Sequence, residues 1–282
     1  MMYRIRVRVP ADARITVEEM LLGITEASST VIEGGEAEVL GYSRQPPDTR
    51  VFEQALEGVG IPTRTCLLEP VPDDDWVTRG LARLPPVRAG RFVLRGRHSP
   101  VCSAARSDIC VDAGPAFGTG HHPTTATMIE TLVHLAQRGF RPKLALDMGT
   151  GAGTLAIVMA RLWRCPVLAA DNDQAAVQCA RENVVRNRVA RWVDVVEVDG
   201  YDAISSVFDV VAANLFADPL RAMAPALARS LSARGYAALS GLLVRQRLPV
   251  LRAHVDQGLT VRRTVRRDDW LTFLLARPRA AR

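Results

Sequence analysis

The chain holds a single lysine, Lys143, against 35 arginines. Its glycine-rich stretch "DAGPAFGTGHHPTTATMIETL" (residues 112–132) contains no lysine, which excludes a phosphate-binding P-loop. None of the five cysteines (Cys66, Cys102, Cys110, Cys165, Cys179) forms a C-x-x-C pair. That argues against a zinc ribbon or a disulfide framework, and the five read as reduced thiols. No apolar run approaches the roughly 18 residues of a membrane helix. The opening "MMYRIRVRVPADAR" lacks the apolar block of a secretory signal, so a cytoplasmic location is expected. His121 and His122 are adjacent in a strand-like stretch and point opposite ways, with no third ligand nearby, so no metal is expected.

What is present is enough for a large core. At 282 residues and 48% hydrophobic content, two domains are expected. Charge divides between them. Residues 1–71 carry 7 basic and 11 acidic side chains, a net of −4, and residues 72–282 carry 29 and 19, a net of +10. An acidic module is a poor RNA binder; its charge either suits a basic protein or is solvated surface with no partner.

Periodicity divides the chain at the same place. In "YRIRVRV" Ile5, Val7 and Val9 share one face of a strand. "TVEEMLLGITEA" reads as a helix capped by Thr16, and "TVIEGGEAEVLGY" as two strands about Gly34-Gly35. A second helix starts at Asp48 and stops near Gly60, and "RTCLLEPV" closes a β-α-β-β-α-β order, that of the ferredoxin-like unit. Residues 72–90 read as a helical linker, and 91–111 supply two short strands. From residue 143 strands and helices alternate, which predicts an α/β domain over 91–282 with a mostly parallel sheet covered on both faces. "LTVRRTVRRDDWLTFLLAR" would add an antiparallel end, after a helix "VRQRLPVLRAHVDQ" that Pro249 would kink.

Chemistry gathers at the ends of these strands. "LALDMGTGAGTLA" places Gly149, Gly151 and Gly153 where a backbone can approach a ligand at a helix mouth. The spacing is G-x-G-x-G, and Thr154 stands where a nicotinamide fingerprint needs its next glycine. Asp147, before the turn, can order it or accept from an ammonium. Asp171 closes the second strand, placed to accept both hydroxyls of a ribose, and Asn172 can lie along an adenine. Asp199 is either a second adenine contact or a turn aspartate. Asn214 ends "VVAAN" at the carboxyl edge of the fourth strand, where its amide oxygen can hold an amine by its N–H.

Taken together, "AFGTGHHPTT", "LDMGTGAG", "AADND" and "ANLFADPL" resemble the ribosomal protein L11 methyltransferase family over essentially the whole chain. The resemblance implies a ferredoxin-like substrate-recognition domain, a helical linker and a class I methyltransferase domain with a seven-stranded Rossmann-like sheet. It implies S-adenosyl-L-methionine as cofactor, without a metal. Thr125, Gly149, Asp171 and Asn214 then become cofactor contacts, Phe117 the aromatic beside it, and 112–125 the segment over its methionine end. The implied reaction moves methyl groups to lysine side-chain or amino-terminal amines of a basic large-subunit ribosomal protein docked by the first domain. Asn214 and the Leu215 carbonyl would orient the amine. Another protein, RNA or a small molecule is the alternative acceptor. Thr150, Ala152, Asn172 and Phe216-Ala217-Asp218 depart from the common pattern without removing a chemical group.

Overall fold

The computed structural model describes residues 2–278 except 26, 34, 44, 62–65, 72–84, 98, 102–106, 113–121 and 202–203. The chain divides into two compact units, Met1–Trp76 and Val77–Arg282.

The first unit runs β1 (Met2–Pro10), α1 (Arg14–Leu22), β2 (Ala27–Glu33), β3 (Glu36–Ser43), α2 (Thr49–Gly58), β4 (Cys66–Val71). Its antiparallel sheet has the order β2-β3-β1-β4, as the ferredoxin-like reading requires. Ile5, Val7 and Val9 are buried with Val17 and Leu21 of α1 and Phe52 and Leu56 of α2. Asp48 caps α2 by accepting from the Arg50 N–H at 3.0 Å. Thr16 does not cap α1. The helix begins at Arg14 after Ala13, whose side chain offers no cap. Pro10 and two turn residues reverse the chain early, so Thr16 falls inside the first turn.

The expected linker over 72–90 has its first part, 72–84, outside the described residues. Its end is strand, because Pro85-Pro86 cannot continue a helix and Val87–Ala89 pairs as β5. β5, β6 (Phe92–Arg95) and β7 (Asp108–Cys110) form a small sheet. Beyond it come α3 (Pro123–Gln137), β8 (Ala145–Met148), α4 (Thr154–Trp163), β9 (Val167–Asp171), α5 (Gln174–Arg186) and β10 (Val193–Glu197). Then follow β11 (Phe208–Asn214), α6 (Ala217–Ser230), β12 (Leu231–Leu243), α7 (Arg247–Val255), β13 (Thr260–Arg267) and β14 (Trp270–Ala276). Pro249 does not kink the last helix. A short 3-10 turn over Val244–Gln246 precedes Arg247, so Pro249 sits in the first turn of α7, where an N–H has no helical partner to lose.

The seven strands lie in the order β10-β9-β8-β11-β12-β14-β13. β8 to β12 are parallel, and β14 is antiparallel to both its neighbours. Period-two alternation sorts side chains between two cores. Val210 and Ala212 pack with Met128, Ile129 and Leu132 of α3, Ile157 of α4 and Val177 of α5. Val211 and Ala213 pack with Leu220 and Leu227 of α6 and Val250 of α7. Chain order reverses direction between β8 and β11, and open α/β sheets bind ligands outside the carboxyl ends of strands at such a point. No described helix is long and apolar enough to cross a membrane.

Candidate active site

Asp147, the 149–153 turn, Asp171, Asn172 and Asn214 meet at that carboxyl edge. The turn is tied to β9, since the N–H groups of Gly149 and Thr150 both donate to the Ala170 carbonyl, at 2.8 and 3.0 Å. Gly149 (φ +69°) has no room for a side chain: a Cβ would lie 2.4 Å from Leu215 Cδ2. Gly153 (φ +80°) is the residue before α4, in the left-handed region. Both positions therefore favour glycine, and a side chain at Gly149 would also have to displace Leu215.

Asp171 faces the turn rather than capping the next helix, which Asp173 does. Its Oδ2 accepts from Gly151 N–H at 2.8 Å and its Oδ1 from Asp173 N–H at 3.1 Å. Two backbone donors fix the carboxylate, and each oxygen keeps a lone pair for a diol. Asn172 donates to Asp199 Oδ1 at 3.4 Å, so these two exposed side chains share the same rim.

Asp147 is 1% exposed. Its Oδ2 accepts from Thr150 Oγ1 (2.7 Å) and Ala156 N–H (2.9 Å), ordering the turn, while its Oδ1 has no partner. Burial, with the negative Asp171 adding to it, pushes its pKa up to about 7 despite those hydrogen bonds. A cation reaching Oδ1 would relieve that penalty.

Asn214 is oriented by α3. His122 is the N-cap of that helix, with Pro123 at its first position. His122 Nδ1 accepts the Thr124 N–H at 3.3 Å and lies 2.7 Å from Thr124 Oγ1. A nitrogen that accepts from the backbone carries no proton, so the Thr124 hydroxyl donates to it and the ring proton sits on Nε2. Burial holds the imidazole neutral, its pKa down to about 4. Trp270 stands edge-on to the ring at 4.6 Å. Thr124 Oγ1 in turn accepts from Asn214 Nδ2 at 3.2 Å. The amide is thereby set with its oxygen away from Thr124, and that buried Oδ1 has no partner. Thr125 Oγ1, one residue on, is likewise buried and unpartnered.

A hydroxyl chain places the start of α3. Thr127 Oγ1 meets Thr272 Oγ1 at 2.6 Å, and Thr272 donates to Ser240 Oγ at 2.8 Å. Leu215 bridges two parts of the edge. Its N–H donates to the Ser240 carbonyl at 3.0 Å, and its carbonyl lies against Gly241, where a Cβ would come within 2.3 Å.

Sequence reasoning brought Thr125, Gly149, Gly151, Gly153, Asp171, Asn172, Asn214 and Leu215 to one edge, and the structure places them there. Phe117 and His121 lie outside the described residues. Sequence reasoning weighed His122 against a metal role and missed the hydroxyl of Thr124 as its link to Asn214. It also missed Gly241, and Asn183 and Asn187, polar residues spaced i, i+4 on the inner face of α5. That spacing was the available signal. Three unpartnered buried acceptors, Thr125 Oγ1, Asn214 Oδ1 and Asp147 Oδ1, beside a glycine turn and a strand-end carboxylate fit a ligand with a ribose at one end and cationic groups at the other. A surface depression lined by Leu144, Val167, Trp192 and Phe208 lies at the opposite edge of the sheet and holds none of these groups.

The profile of the family described as "Ribosomal protein L11 methyltransferase (PrmA)" matches residues 9–278. The chain is 41% identical over 267 residues to the ribosomal protein L11 methyltransferase of Rhizobium etli, covering 93% of this chain and 90% of the relative. It is 42% identical over 250 residues to that of Rhizobium rhizogenes, covering 86% and 85%. In structure it is similar to a ribosomal protein L11 methylase from Lactobacillus delbrueckii subsp. bulgaricus (TM-score 0.60, 24% identity, 68% of this chain and 98% of the other).

Proposed function

The chain belongs to the ribosomal protein L11 methyltransferase family, and on that premise we propose how its residues methylate amines of ribosomal protein L11. S-adenosyl-L-methionine, when bound, supplies an electrophilic methyl group and a neutral thioether leaving group. The glycine turn and Asp171 hold the nucleoside, and Thr125 and Asp147 hold the charged amino-acid end. Asn214 Oδ1 accepts an N–H of the incoming amine, which points the nitrogen lone pair at the site, and the Leu215 carbonyl assists. The observation that carries this reading is the Asn214 amide: one end fixed by Thr124, the other buried and open.

The amine must arrive uncharged. For a lysine of ordinary pKa, about 10.4, deprotonation at pH 7 costs roughly 4–5 kcal/mol, and for an α-amine near 8 far less. None of the acidic or imidazole groups at this edge is assigned as the base: His122 is committed as an acceptor to Thr124, Asp171 to two backbone N–H groups, and the open oxygen of Asp147 to the cationic end of the cofactor. The proton therefore leaves to solvent, and Asn214, an acceptor, favours the amine over a group with no N–H or O–H to give. The protein's contribution is to orient and desolvate. The acidic first unit docks the basic substrate, and the reaction is cytoplasmic.

Mass spectrometry of ribosomal protein L11 incubated with the enzyme and isotope-labelled S-adenosylmethionine tests the assignment. Whole methyl increments on lysine or α-amines are expected. Label confined to RNA, or absent from the protein, would contradict it.

A further inference from the structure

Asn183 of α5 and Asn187, the C-cap of that helix, lie one turn apart and meet the chain at the end of β7 and just beyond it. Asn187 donates from Nδ2 to the Cys110 carbonyl (2.7 Å) and accepts the Cys110 N–H at Oδ1 (3.1 Å). Asn183 repeats this two residues on, donating to the Asp112 carbonyl (2.8 Å) and accepting the Asp112 N–H (3.1 Å). The repeat is geometric. Four helical residues climb about 6.0 Å and two strand residues about 6.6 Å, so amides at i and i+4 stand opposite strand residues at j and j+2. The two side chains thus act as a neighbouring strand for residues 110 and 112.

Asn183 reaches the glycine turn, and Asn187 does not. Fully buried, it also donates from Nδ2 to the Ala152 carbonyl at 2.9 Å. Ala152 lies inside the glycine turn, and the peptide it shares with Gly153 is held at its other end by Gly153 N–H donating to the Thr150 carbonyl at 2.9 Å. A Cβ on Gly153 would lie 3.2 Å from Ala180 of the same helix, α5. α5 therefore grips the turn through one amide and one close contact.

We propose that Asn183 is a positioning residue for the nucleoside site: it preorganises the 149–153 turn through the Ala152 carbonyl, and ties that turn to residue 112 at the start of the glycine-rich stretch. The assignment rests on the reading of this edge as the S-adenosylmethionine site. A rigid turn spares the ligand the cost of ordering it, so losing the grip weakens binding more than it slows the chemistry of bound reactants.

The test compares Asn183→Asp, Asn183→Ala and Asn187→Ala in the full chain by calorimetric titration with S-adenosylhomocysteine, thermal unfolding, and kcat at saturating cofactor. Asn183→Asp keeps the volume and the acceptor for Asp112 N–H while leaving at most one donor for the two carbonyls, and it carries the test alone should Asn183→Ala fail to fold. Both Asn183 variants are expected to raise Kd about tenfold, the scale of one lost buried hydrogen bond, with kcat changed much less. Asn187→Ala, which breaks the matching pair at residue 110, is expected to lower Tm while leaving Kd within about twofold. Equal Kd losses at both positions, or unchanged binding in the Asn183 variants, would overturn the inference. Failure of the unaltered protein to bind the nucleoside would instead overturn the site reading.

Discussion

In the first unit, the polar face of the sheet answers its own charges. Arg4, Arg6 and Arg8 alternate along β1 with buried Ile5, Val7 and Val9, and face Glu69 at 2.6 and 3.3 Å and Glu38 at 3.1 Å on the flanking strands. In the second unit, the polar atoms at the sheet's carboxyl edge are left open: Thr125 Oγ1, Asp147 Oδ1 and Asn214 Oδ1 are buried without partners. Such atoms cost about 1–3 kcal/mol each when nothing meets them; Thr30 Oγ1, Trp163 Nε1, Tyr201 OH and His254 Nε2 stand singly elsewhere, whereas these three lie together at one sheet edge. The difference sets a sheet face whose charges are paired within the unit against a sheet edge that keeps open acceptors. Charge follows the same division, −4 over residues 1–71 and +10 over 72–282.

Four changes would break or sharpen that contrast. Deleting residues 1–71 has the largest expected effect. Methylation of ribosomal protein L11 falls by about a thousandfold or more, as docking energy is lost, while S-adenosylhomocysteine binding stays unchanged. Full activity of the truncated chain, read by mass spectrometry, would remove the docking role. Next is Asn214→Ala, which takes away the open acceptor. A drop in kcat of about a hundredfold is expected, with Kd for the nucleoside raised less. Unchanged turnover would eliminate Asn214 as the amine's guide.

Gly149→Ala comes third. Its Cβ meets Leu215 Cδ2 and its φ of +69° is strained for alanine, so titration should show nucleoside binding weakened about tenfold with a lower Tm. Normal binding would show that Leu215 yields freely.

The smallest effect is that of Asp147→Asn, and it has a sign. The folded carboxyl titrates at about 7 against an ordinary 3.8, so it favours the fold while protonated, and that contribution is lost as pH rises through 7. Asparagine can still accept from Thr150 and Ala156 without carrying charge. The ligand-free variant should therefore exceed the unaltered protein in Tm at pH 8, with the gap closing below pH 4. Nucleoside affinity should fall several-fold as the cationic end loses its partner. A gap independent of pH would contradict the buried charge.

The fold was legible because its signals are local. Alternation in "YRIRVRV", the Asp48 cap and the strand–glycine–helix cadence after residue 143 each depend on neighbours in the chain. Thr16 failed because a cap depends on where the preceding turn ends. Pro249 failed because a proline in a first turn and one in a helix interior look alike until the start is known. The site was legible wherever a residue type marks a strand end, as Asp171 and Asn214 do. It was not legible where function passes through a third residue. The His122–Thr124–Asn214 chain spans 90 positions between Thr124 and Asn214. The reach of Asn183 to Asp112 spans 71. The i, i+4 spacing of Asn183 and Asn187 marks a polar stripe on the helix, but nothing local names the distant partner of either residue.

The most direct test of the whole account is calorimetric titration of the full chain with S-adenosylhomocysteine. One saturable site with measurable heat, lost or weakened when Gly149 or Asn183 is replaced, is the predicted result. A flat titration of folded protein would mean that the open acceptors at this sheet edge serve something other than an adenosyl ligand.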